Sequence, residues 1–112
     1  MSAMFELIGG GIGVMPDPED NEAGHDVPHH ESGTRASFSV VNVGDAGGNA
    51  EVGIELGDIF TNTWTSDFLD PGQEQAGFVS LGRLSAGDHE VLVFVNPGSG
   101  QMDHETNNFR VE

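Results

Sequence analysis

Residues 51–57 read Glu-Val-Gly-Ile-Glu-Leu-Gly, and the reading of these seven residues decides the fold class. Val52, Ile54 and Leu56 fall on one side of an extended chain; Glu51, Gly53 and Glu55 fall on the other. Successive side chains of a strand point to opposite faces, so a period of two without exception marks a strand with one oily face and one wet face. A helix would scatter the same residues around its circumference.

Moving outward from this strand, the pattern repeats. Residues 36–43, A-S-F-S-V-V-N-V, set Ala36, Phe38 and Val40 against Ser37 and Ser39. The intervening G-D-A-G-G-N is a turn. Residues 59–69 are mixed, with three threonines that favour extended structure and with Trp64 and Phe68 as expected core pieces. D-P-G-Q at 70–73 places Pro and Gly where a tight turn wants them. Residues 76–84 form another strand candidate, carrying Phe78, Val79, Leu81 and Leu84. H-E-V-L-V-F-V-N at 89–96 is apolar on both sides, as expected of a central strand covered on two faces. Phe109 and Val111 flank Arg110 in a last strand at 108–112. Strands of this length with turn signals about every 8–12 residues predict an all-β, immunoglobulin-like antiparallel sandwich of about seven strands.

The remaining segments fit one domain, 1–112. Residues 1–15 read as an irregular, Gly-rich first strand. Residues 16–33, P-D-P-E-D-N-E-A-G-H-D-V-P-H-H-E-S-G, hold little to bury and read as a long acidic surface loop. Residues 34–112 supply the main sandwich.

Charge narrows the partners. The chain of 112 residues has 19 Asp and Glu against three basic residues, Arg35, Arg83 and Arg110, for a formal net charge of −16. Such a surface repels phosphate, which argues against nucleic acid and anionic membrane and favours cations and basic surfaces. Adaptation to high salt and ordinary solubility are both readings of this acidity. There is no Cys, so neither disulfides nor thiolate chemistry are available. No stretch reaches the roughly 20 apolar residues of a membrane helix. The N-terminal stretch carries Glu6 and no basic residue, so it does not read as a signal peptide.

Four pieces in the second two thirds of the chain resemble the CARDB family, the cell-adhesion-related domains of bacteria and archaea. They are V-V-N-V-G at 40–44, L-D-P-G at 69–72, A-G-D-H-E-V-L-V-F-V-N-P at 86–97 and D-H-E-T-N-N at 103–108. The resemblance implies a seven-stranded immunoglobulin-like sandwich, a non-catalytic role and a place on cell surfaces or in larger secreted proteins. Asn96 stands where that family tends to have Asp, which weakens a carried-over calcium site.

Candidate chemistry is sparse. His25, His29, His30 and Glu31 form one His-rich cluster whose imidazole and carboxylate groups are competent Zn²⁺ ligands, although Pro28 interrupts any regular spacing. Asp103, Glu105, Asn107 and Asn108 form a second candidate, for Ca²⁺, set against a purely structural role as turn caps. Asp17, Glu19, Asp20 and Glu22 lack the Gly and distal Glu of an EF-hand. G-G-G-I-G at 9–13 lacks the Lys of a phosphate loop. No nucleophile motif such as G-x-S-x-G occurs, so the expectation is a protein that is not an enzyme. Val41, Val43, Leu92 and Phe94 lie off the expected core faces. They are interface candidates, to be covered by the N-terminal segment or by a second copy in a homodimer. The functional expectation is a binding or scaffold module for protein or polysaccharide. A homo-oligomeric assembly protein and a metal-responsive domain are the alternatives.

Overall fold

A computed structural model describes residues 2–8, 12–57 and 60–112. In chain order the strands are β1 (Phe5–Leu7), β2 (Gly13–Pro16), β3 (Gly33–Asn42), β4 (Gly48–Leu56), β5 (Phe60–Leu69), β6 (Glu74–Arg83), β7 (Gly87–Asn96) and β8 (His104–Val111). A single 3₁₀ turn, Pro18–Asp20, interrupts the first long loop.

The strands form two antiparallel layers. In one, β3 is central, with β6 along one edge and β1 and β2 in succession along the other. In the other the order is β5-β4-β7-β8. Because β1 and β2 share one edge, eight strands fill seven positions, the layout of an immunoglobulin-like sandwich. Of the Gly-rich first segment, residues 9–11 lie outside the described residues, as do residues 58 and 59 ahead of β5.

The alternating faces meet as the sequence predicts. Ala36, Phe38 and Val40 from β3 and Val79 and Leu81 from β6 oppose Val52, Ile54 and Leu56 from β4 and Val91, Val93 and Val95 from β7, all buried. Trp64 packs edge-on against Phe38, with ring centroids 5.2 Å apart at 82°. Asp70–Gln73 is the turn that carries the chain from β5 in one layer to β6 in the other. Gly72, at φ 87°, adopts the left-handed conformation that a turn with Pro at its second position requires, and Gln73 N donates to Asp70 O at 2.9 Å.

The side-chain pattern departs from expectation in three places. Phe68 is 62% exposed rather than in the core. The register of β5 on β4 shifts between Asn49 and Glu51. Beyond that bulge Ser66 and then Leu69 point inward, and Phe68 is turned out. Ser66 Oγ holds the bulge, accepting from Ala50 N at 2.7 Å and donating to Asp67 O at 2.8 Å.

The second departure is β8. It starts at His104, so the segment expected to be a turn before 108 is mostly strand. The third concerns the cover of β7. This strand is central, but β1 and β2, the described strands of the N-terminal segment, pair with β3 in the other layer rather than lying over the outer side of β7. Instead β1 closes one edge of the sandwich from within the β3 layer, with Phe5 and Leu7 in the core. Phe5 N donates to Pro97 O and Leu7 N to Met102 O, so one strand bonds β3 on one side and the β7–β8 loop on the other.

Candidate functional site

The structure assembles the first candidate cluster in part. The loop between β2 and β3 is pinned at intervals by bonds that do not involve its imidazole rings. Asp17 Oδ1 caps the 3₁₀ turn through Glu19 N. Asp20 receives a two-pronged bond from Arg83, at 2.9 Å and 2.7 Å. This pairing holds the Asp20 carboxyl below its ordinary value. Asn21 clasps the backbone of His25 twice: Asn21 Nδ2 donates to His25 O and His25 N donates to Asn21 Oδ1, both at 2.9 Å. Further on, His30 N donates to Glu112 O and Glu112 N to Pro28 O, a short ladder tying the loop to the residue after β8.

Held this way, His25 and His29 stack face to face, 3.8 Å apart and 4° from parallel. Ligand atoms of His25, His29 and Glu31 lie within 4.8 Å of one another. His25 Nε2 is shielded from solvent and has no hydrogen-bond partner. His30 stacks on the other face of the cluster through His29, with ring centroids 4.5 Å apart, but offers its nitrogens elsewhere. Its Nδ1 lies 2.9 Å from Glu112 O and its Nε2 3.6 Å from Glu31 Oε1.

The second candidate cluster is pulled apart by strand geometry. Asp103 Oδ2 accepts from Gly100 N at 3.1 Å, and its Oδ1 lies 3.0 Å from His104 Nδ1. That contact lowers the Asp103 carboxyl below its ordinary value. Glu105 and Asn107 are half-buried alternate positions of β8, Thr106 between them is exposed, and Asn108 beyond them is exposed on the opposite face. Asn107 Nδ2 is committed to Ile12 O at 2.7 Å. Glu105 Oε2 is shielded and unpartnered. Among the described residues, only the loop cluster gathers three His, Asp or Glu side chains closely enough to share an ion.

The four interface candidates separate into two layers. Val41 is half-buried on β3, paired across its two edges with Glu6 and Glu74, and Val43 just beyond is 47% exposed. Leu92 and Phe94 project from the opposite layer. Phe94 is 37% exposed, and its ring lies across Gly53 on β4, where an added Cβ would meet the ring at 2.2 Å. Only glycine admits this, and the aromatic ring shields the strand's bare backbone in return. Across the same face, Gly53 pairs with Thr63 on one side and with Phe94 on the other, and Phe94 pairs with His104. Glu51 and Glu55 flank this row, with Thr65 beside Glu51 and Leu92 beside Glu55. The sequence offered Phe94 as an apolar position but gave no sign that Thr63 and His104 would border it, because register across three strands is set by pairing.

No family model matches the chain, and no curated protein matches it. Solved structures do share its fold. A β-glucosidase from Erythrobacter marinus matches with a TM-score of 0.64 and 16% identity, over 98% of this chain and 16% of that one. A β-glucosidase involved in saponin metabolism from intestinal bacteria matches at 0.62 and 18%, over 98% of this chain and 16% of that one. A β-glucosidase from Thermotoga neapolitana, in complex with α-D-glucose, matches at 0.55 and 15%, over 96% of this chain and 17% of that one. The chain therefore spans about a sixth of the length of the structures it resembles, and at these identities the likeness is one of fold.

Proposed function

We propose that this sandwich is a non-catalytic binding module that holds a neutral polysaccharide on the outer face of its four-stranded layer. The observation that carries the reading is the Phe94 ring, whose distal end lies over Gly53 while the residue stays 37% exposed on the outer face of the sheet. A flat aromatic surface suits the C–H face of a sugar ring. Exposed Thr63, Thr65 and His104 and the carboxylates of Glu51 and Glu55 stand around it as hydrogen-bonding groups for sugar hydroxyls. The net charge of −16 selects among sugars, because uronic or sulfated chains carry the same sign and are repelled. The resemblance to adhesion-type domains in residues 36–112 points to the same class of role. The structural neighbours are β-glucosidases in which the matched part is a small share of the chain, and this accords with a module that serves a larger protein.

A specific observation favours one other occupant. A surface this acidic attracts a basic protein, and such binding weakens steeply with salt, whereas ring stacking does not. Native electrophoresis through gels containing neutral glucans or mannans tests both. Retardation that persists in high salt and disappears in Phe94→Ala supports the sugar reading. Unretarded migration in every neutral polysaccharide, or retardation unchanged in Phe94→Ala, rejects it.

A further inference from the structure

The loop between β2 and β3 carries the strongest unexplained chemistry in the molecule. His25 Nε2 is cut off from water and faces no donor or acceptor. A shielded imidazole nitrogen with no partner forfeits its hydrogen bond to water, so its environment lacks a group that would satisfy it. The nearest side chains with ligand atoms are His29 and Glu31, within 4.8 Å. We infer that His25, His29 and Glu31 bind one Zn²⁺-class cation, which staples the middle of the acidic loop.

Three features make the ligand set fit. Two imidazoles and a carboxylate are a borderline-soft donor set suited to zinc, and they leave one tetrahedral position for water. Both histidines sit on backbone already fixed without the metal, His25 by Asn21 and the 28–30 stretch by Glu112. Binding therefore needs side-chain rotation rather than ordering of the loop, and this limits its entropic cost. Asp17, Glu19, Asp20, Glu22 and Asp26 belong to the same loop, and their field raises the local concentration of cations.

His30 plays a different part. Its Nδ1 rests on Glu112 O, its ring stacks on His29 and its Nε2 lies 3.6 Å from Glu31 Oε1, so it packs beside the ligand set without completing it. In the metal-free geometry the two ligand rings are parallel, so their lone pairs lie in separate planes. Zinc must open this stack until both nitrogens sit about 2.0 Å from the ion. His29 Nδ1 also accepts a 3.0 Å bond from Glu31 N. Binding through Nδ1 displaces that amide directly, and binding through Nε2 moves the ring proton to Nδ1, which then no longer accepts from the amide; in both cases the Glu31 N–H bond is lost, which is visible by NMR.

The test is calorimetric titration of the full metal-free chain with ZnCl₂ in excess Ca²⁺, which saturates non-specific acidic sites. One equivalent of zinc is expected to bind. His25→Ala and His29→Ala should each weaken binding by at least about tenfold, whereas His89→Ala on the distant β7 leaves it unchanged. Ring ¹⁵N and amide spectra of the wild type should show shifts at His25, His29 and Glu31 on zinc addition. Circular dichroism without metal verifies that each variant is folded. Absence of a saturable zinc site, equal affinity in the His25→Ala/His29→Ala double variant, or ring signals of His25 and His29 unmoved by zinc would overturn the inference.

Discussion

Asn42 and Phe94 were both readable as residue types, yet neighbours the sequence could not name assign their roles. Asn42 is buried at the end of β3. Its Nδ2 donates to Ala46 O and to Leu69 O, both at 2.9 Å, and its Oδ1 accepts from Gly44 N. It ties the β3–β4 turn to the β5–β6 turn, both of which cross between the layers. Asn42→Ala strands two carbonyls and an amide. The expected loss is about 1–3 kcal/mol, read as a lower midpoint in urea unfolding; an unchanged midpoint would show that water replaces the amide. At Gly53 the prediction separates binding from stability. Gly53→Val pushes the Phe94 ring off the sheet, so it should abolish polysaccharide retardation while also costing about 1–3 kcal/mol of overpacking strain. Phe94→Ala should abolish retardation without that strain, and retained retardation in both variants would remove the aromatic platform from consideration. Phe68 teaches the same lesson in reverse: as a large apolar residue two positions from an inward pair it reads as core, and one bulge at Ser66 turns it to solvent.

Single strands were legible where one face is wet, as in β4, and less so where context decides. β7 reads as covered on both sides because Leu92 and Phe94 are apolar, but Phe94 spends its apolar surface on Gly53 and remains partly exposed. The sequence places the start of the last strand at 108, because Asn and Asp suit turns. Pairing along β7 from Gly87↔Val111 to Phe94↔His104 overrides that preference. The long loop is also more ordered than its composition suggests, with Asp17 and Ser32 buried and Asp20 bound by Arg83. Arg83 lowers the Asp20 carboxyl, so this contact stabilises the fold above the ordinary Asp value of 3.8 and is lost as pH falls through the lowered value. Both groups are partly exposed, and solvent screening keeps the effect small. Asp20→Asn should therefore melt slightly below wild type at neutral pH and converge with it in acid. A gap that widens on acidification would contradict this assignment.

At the scale of the whole molecule, two opposed terms set stability. The shared interior is filled by aliphatic side chains, and Ile54 at its centre is fully buried. Ile54→Val should cost about 1 kcal/mol and lower Tm by about 4–8 °C, as followed by the fluorescence of Trp64, the only tryptophan. Against this stands repulsion from a net charge of −16 on a body 47 Å long. Raising salt from about 0.1 M to about 1 M shortens the screening length from about 10 Å to about 3 Å. Tm should rise over that range, and a flat or falling Tm would show that the acidic groups are spaced too widely to oppose folding.

The sequence by itself determined the class of fold, because alternation at 36–40 and 51–57 is a local property of an extended chain and leaves a layer with one face to bury. It also determined the sign of the surface and the presence of an imidazole-rich loop. The tertiary structure alone decided which of those side chains meet. His25, His29 and Glu31 converge because Asn21 and Glu112 fold the loop back on itself, while strand pairing sets Asp103, Glu105 and Asn107 at alternate positions along an edge. Register is the physical reason: it is fixed by hydrogen bonds between segments far apart in the chain, and no local pattern of residues encodes it.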